Sequence, residues 1–205
     1  MAIIRPKTIG QSLFWAYSNF SMMVASLSHE EQEYQQSDYI IRNRMYYGLL
    51  RGKLQIASLV KDEKFKMRTS DRCCYCGETN NLSLEHLIPL KRGGTHDPAN
   101  LIMACRSCNS SKGVMDYLEW IMIKKNEFPH LGILRRYFKI TIDFCVQHDL
   151  MDLPLDSIAT IDPPLPFAIE LISDLTLVIQ QIGRDEKVHQ TEDDSQLTLF
   201  GDMNL

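Results

Sequence analysis

No run of apolar residues in this chain is long enough to cross a bilayer, and residues 1–20 lack the charged-then-apolar order of an export signal. These absences set the expectation of a cytoplasmic protein with no membrane partner. No internal repeat is visible, so an array or solenoid is not expected. Basic residues are in short supply, with 22 Lys and Arg against 26 Asp and Glu and a net charge of −4. Taken alone, that balance argues against a polyanionic partner. The first 72 residues hold no cysteine and no recognisable base-reading element.

What is present is unevenly placed. Residues 42–72 carry nine Lys and Arg against three acids, whereas residues 143–205 carry thirteen acids against Arg184 and Lys187. Such a chain is polarised, and its basic run leads straight into the cysteines, where phosphate binding is the expected use. With 44% hydrophobic residues the chain can bury a sizeable core.

Apolar spacing predicts helices over residues 8–28, with Thr8 as N-cap, over 31–50, with Tyr39, Ile40, Met45, Tyr46 and Leu49 inward, and over 57–67. Further helices are expected over 115–125, 131–147 and 167–182, with Pro154, Pro163, Pro164 and Pro166 keeping 149–166 irregular. From Gly183 onward the composition reads as a disordered acidic tail.

Five of six cysteines fall within residues 73–108. Two Cys-x-x-Cys pairs, Cys73/Cys76 and Cys105/Cys108, have the ligand types and spacing of a tetrahedral structural zinc site. Cys74 competes for the first position, but one residue separates it from Cys76. A redox dithiol is the alternative, although it would need only one pair. Cys145, in an apolar helix, is expected to be core.

Between and after these pairs stand Glu85-His86, Lys91-Arg92-Gly93-Gly94, Asn100-Leu101, and then Asn109 to Lys112. In order and spacing, residues 73–113 resemble the HNH endonuclease family in its zinc-stapled branch. Leu82 and Leu84 suggest one strand, Asn100–Ile102 the start of a second, and Cys105–Lys112 a helix, which would bring Glu85, His86 and Asn109 together. The resemblance implies that His86 is the general base, that Glu85 and Asn109 hold Mg²⁺ or Mn²⁺, and that Asn100 orients the histidine. Lys112, one turn beyond Asn109, is expected to reach a phosphate, and Lys91, Arg92 and Arg106 are further candidates for DNA contact. His96 lies in the same loop and could touch a phosphate. In the family the position of Asn109 is often histidine and that of Glu85 often aspartate.

Gln196-Leu197-Thr198-Leu199-Phe200 resembles the pentapeptide by which bacterial polymerases and repair proteins dock on the DNA sliding clamp, with Gln196, Leu197, Leu199 and Phe200 as contacts. The expected protein is thus mainly α, with a small central ββα-metal (HNH) module at 69–114 stapled by a four-cysteine zinc site. Helical segments at 1–68 and 115–182 flank it, and an acidic tail at 183–205 follows. The expected activity is phosphodiester hydrolysis in DNA. The alternatives are a zinc-stabilised DNA- or clamp-binding module that does not cut, and a nuclease subunit of a restriction or phage-defence complex that stays silent until a partner protein docks on the helical flanks.

Overall fold

The computed structural model describes residues 4–29, 33–56 and 71–182. The helix expected over 57–67, part of the basic run, and the tail with Gln196–Phe200 lie outside the described residues.

Helix α1, Ile9–Ser26, is the central strut. Thr8 caps it by accepting from Gln11 N–H at 3.2 Å, as its position before the first apolar residue requires. The helix is buried on nearly every face, so its polar residues are satisfied internally. Ser18, Asn19 and Ser21 each donate to the carbonyl four residues back. Helix α2, Gln36–Leu50, packs on α1 through Asp38, Arg42, Tyr46 and Leu49, a single face at helical spacing. Ile40, expected inward, is instead 58% exposed, because the face that meets α1 is set by Arg42 stacking on Trp15 and Tyr39.

The central hairpin consists of β1, Leu82–His86, and β2, Leu101–Cys105, antiparallel with Leu82 opposite Cys105 and His86 opposite Leu101. Helix α3, Arg106–Lys112, follows β2 directly and packs on both strands. The expected helix over 115–125 is replaced by a π-helical segment, Glu119–Lys124. Helix α4 runs from Leu131 to Gln147, and after a 3-10 turn at Leu155–Thr160 the last helix, α5, covers Ile169–Ile182.

Both chain-terminal halves of the described structure meet on α1. Residues flanking its start pair with the loop before the 3-10 turn, through Ile9 N–H to Leu153 O at 3.0 Å and Leu155 N–H to Lys7 O at 3.0 Å. Phe20 meets Phe138 of α4 edge-on, and Tyr34 donates to the Ile179 carbonyl of α5. The apolar core is continuous from this platform into the hairpin module, where Tyr75, Tyr117 and Trp120 stack together. Cys145 lies in that core, fully buried. Among the described residues no helix is long and apolar enough to cross a membrane.

Candidate active site and metal centre

The two cysteine pairs come from different elements. Cys73 and Cys76 lie in a knuckle closed by Gly77 N–H to Cys73 O, with Gly77 at φ 76°, and Cys74 N–H ties that knuckle to Met103 O of β2. Cys105 ends β2 and caps α3, where Cys108 sits one turn in. The four Sγ atoms lie within 4.8 Å of one another, and Cys76 and Cys105 are 3.7 Å apart. A tetrahedron with bonds of about 2.3 Å would set sulfurs roughly 3.8 Å apart, so the donor set and its spacing fit a structural zinc ion. The Cys108 N–H lowers the pKa of the Cys105 thiol, whereas burial raises those of Cys76 and Cys108, so a cation among them is what would hold all four as thiolates.

The carboxylate beside this centre faces inward. Successive strand residues alternate sides, so Glu85 and His86 leave β1 in opposite directions. Glu85 is buried against α3, where its Oε1 accepts from Lys112 Nζ at 2.6 Å and its Oε2 from Tyr75 OH at 2.7 Å. Burial raises its pKa even against the nearby ammonium. Lys112 also donates to the His86 carbonyl at 2.7 Å, and its side chain has no exposed surface. In this arrangement the Lys112 ammonium, expected at a phosphate, donates to Glu85 and to the His86 carbonyl, and both oxygens of Glu85, expected at Mg²⁺, accept hydrogen bonds. Asn109 lies on the same side of β1, where its Nδ2 donates to Ser83 Oγ at 3.3 Å.

His86 faces the other way, partly exposed, at the exit of β1. Burial, then the neighbouring His96 and Lys112, lower its pKa below the ordinary 6.5, so at neutral pH the ring is uncharged and has a lone pair to offer. Asn100, expected to orient this histidine, makes its side-chain hydrogen bonds to Ile88 and Thr95, which follow the histidine in the chain. The Asn100 carboxamide braces the loop between the strands, accepting from Ile88 N–H at 2.9 Å and donating to Ile88 O at 2.8 Å and Thr95 O at 2.9 Å. That loop turns at Gly93, φ 94°, and passes so close to the strand exit that a Cβ on Gly94 would lie 1.9 Å from Ile88 O. Its return delivers His96 to His86, an encounter that residues read singly do not reveal; the Gly-Gly turn is its one visible signal in the sequence.

Of the cationic candidates, Lys91 and Arg106 are exposed. Arg92 is not free: its guanidinium donates to the Glu119 carboxylate, which fastens the loop to the π-helical segment. Behind the loop, Arg136 of α4, 1% exposed, donates to the carbonyls of Pro98 and Ala99.

Among curated proteins and among solved structures, nothing matches the chain. A match does arise at the level of families, with the model described as HNH endonuclease, over residues 73–114. That span opens at the first cysteine of the cluster and closes just beyond α3, so the hairpin, its four cysteines and its helix are the part of the chain similar to HNH endonucleases, set in a helical surround.

Proposed function

We propose that the module hydrolyses phosphodiester bonds in DNA, with His86 as the general base. The observation that carries this reading is the match of residues 73–114 to HNH endonucleases, with His86 half-buried at the exit of β1 inside that span. In hydrolysis a water oxygen bonds to phosphorus as its proton passes to a base, a transfer the lone pair of His86 serves. Meanwhile the opposite P–O ester bond breaks and the departing alkoxide takes a proton from solvent. Lys91, in the loop that leaves the strand exit, supplies positive charge on the His86 side for the phosphate backbone, and Arg106 adds charge at the opposite end of the hairpin. Zinc on Cys73, Cys76, Cys105 and Cys108 fixes the ends of the hairpin and takes no part in the reaction.

Similarity to the family implies a second cation, Mg²⁺ or Mn²⁺, whose chemistry is charge neutralisation at the phosphate. As arranged, Glu85 gives both oxygens to Lys112 and Tyr75 and does not seat it.

One observation favours a second reading, a nuclease held silent until a partner protein docks on the helical flanks: the inward lock of Glu85 on Lys112 and Tyr75. The tail peptide Gln196–Phe200 is proposed, from its residues alone, as a contact to the sliding clamp.

Purified chain incubated with plasmid and Mg²⁺ or Mn²⁺ tests these readings. Cleavage is expected, and His86→Ala should lower it by about a hundredfold or more while zinc content and circular dichroism stay unchanged. A His86→Ala protein that cuts as fast as its parent removes His86 from the mechanism. A folded parent that binds DNA without cutting it supports the silent or binding-only readings instead.

A further inference from the structure

His86 and His96 are not two loose side chains that happen to meet. Nε2 of His86 and Nδ1 of His96 are 3.2 Å apart, and the rings meet edge to face with centroids 5.0 Å apart. The separation is set by backbone. Asn100, 2% exposed, grips Ile88, two residues past His86, and Thr95, one residue before His96. Gly94 lets the loop press against the same strand exit. From behind, Arg136 holds the carbonyls of Pro98 and Ala99, at the foot of the returning chain. One buried carboxamide and one buried guanidinium therefore fix where the second imidazole stands relative to the first.

A neutral imidazole carries a proton on one nitrogen and a lone pair on the other, and a base must show its lone pair to the water. Among the described residues, Nδ1 of His86 takes part in no hydrogen bond, whereas Nε2 is committed to His96. We propose that His96 is the positioning residue for His86: its Nδ1 accepts the Nε2–H of His86, which leaves Nδ1 of His86 bare for the attacking water. The proposal rests on the reading of His86 as base. In this arrangement His96 carries its own proton on Nε2. When His86 takes the proton of water on Nδ1, it becomes an imidazolium whose Nε2–H still has an acceptor, so the charge formed in the step is stabilised where it appears. The role is the one a carboxylate plays behind the histidine of a hydrolase triad, filled here by a neutral ring. It also reassigns the task expected of Asn100, which acts one step further back by placing the loop.

Two measurements test it on the full chain with zinc bound. The first uses ¹⁵N-labelled histidine without substrate. Above neutral pH, His86 should show protonated Nε2, bare Nδ1 and a slowly exchanging Nε2 proton. That proton signal should persist in His96→Asn, whose carboxamide oxygen can stand where Nδ1 stood, and vanish in His96→Ala. A His86 protonated on Nδ1 overturns the proposal. The second is kinetic. His96→Ala should lower kcat by roughly tenfold to a hundredfold with KM little changed, and His96→Asn should recover most of the loss. A rise in KM at constant kcat would make His96 a phosphate contact and overturn the proposal equally. The spectrum needs no activity, so a chain that never cuts DNA defeats the nuclease reading while the hydrogen bond is still decided.

Discussion

Glu85 and Lys112 stand 27 residues apart in sequence and 2.6 Å apart in space, with the pair almost wholly out of water. The order Glu-His marks these residues in the sequence, but not which face of the strand each takes. The apolar Leu84 is 54% exposed, whereas the charged Glu85 is inward. A local hydrophobic pattern cannot see this, because the partner that makes burial of Glu85 tolerable arrives a hairpin later. Removing one member of a buried pair leaves the other uncompensated. Lys112→Met should therefore cost about 3–5 kcal/mol in urea unfolding, and adding Glu85→Gln should recover part of that loss, since the double variant strands no charge. Equal stability of Lys112→Met and parent would show that the pair is open to water in solution.

Among the elements, α4 is legible to the residue, because its apolar positions recur at helical spacing along all of Leu131–Gln147. The hairpin and α3 are legible from the turn glycines and the cysteine pairs. The stretch after α3 is not, because Asp116, Tyr117 and Leu118 are all buried in a junction whose partners lie on α4. Asp116 accepts from Tyr137 OH at 2.8 Å and from Leu118 N–H at 3.1 Å, holding the entry to the π-helical segment. Its other oxygen is buried with no hydrogen-bond partner among the described residues, and burial pushes its pKa up to about 6. Because the folded pKa lies above the ordinary 3.8, the protonated form is the one the fold prefers. The associated stability is full below 3.8 and is lost as pH rises through about 6. Asp116→Asn keeps an acceptor for Tyr137 and Leu118 without the charge. Above that window it should be more stable than the parent by up to about 3 kcal/mol, and below it the two should converge. Urea unfolding at both ends of the range checks this, and a pH-independent difference would place the effect elsewhere.

At the scale of the whole molecule, the fold adds a continuity that the charge polarity of the sequence gives no hint of, since the core passes from α1 and α4 through Tyr117 and Trp120 to Tyr75, Cys73 and Cys105 without a break. A zinc ion on the four cysteines would then support more than its own knuckle. Cys105→Ser should reduce bound zinc from one per chain to near zero and lower the thermal midpoint by on the order of 10 °C. Because the core is shared, the variant should melt in one transition, which calorimetry can read. Two separated transitions would mean that the module and the helical platform are independent.

The pairing of the first helix with the last, through Ser12 with Ser173 and Gln180 with Asn19, has a consequence for synthesis. A ribosome releases α1 long before α5 exists, so this apolar strut must wait for its final partner. The hairpin module can close meanwhile, since its four thiols and its strand pairing all lie within residues 73–108. A zinc ion taken up by those thiols would therefore bind before the platform is complete. A chain without it would face the last folding step with its hairpin unstapled and its first helix still uncovered, open to chaperones and proteases.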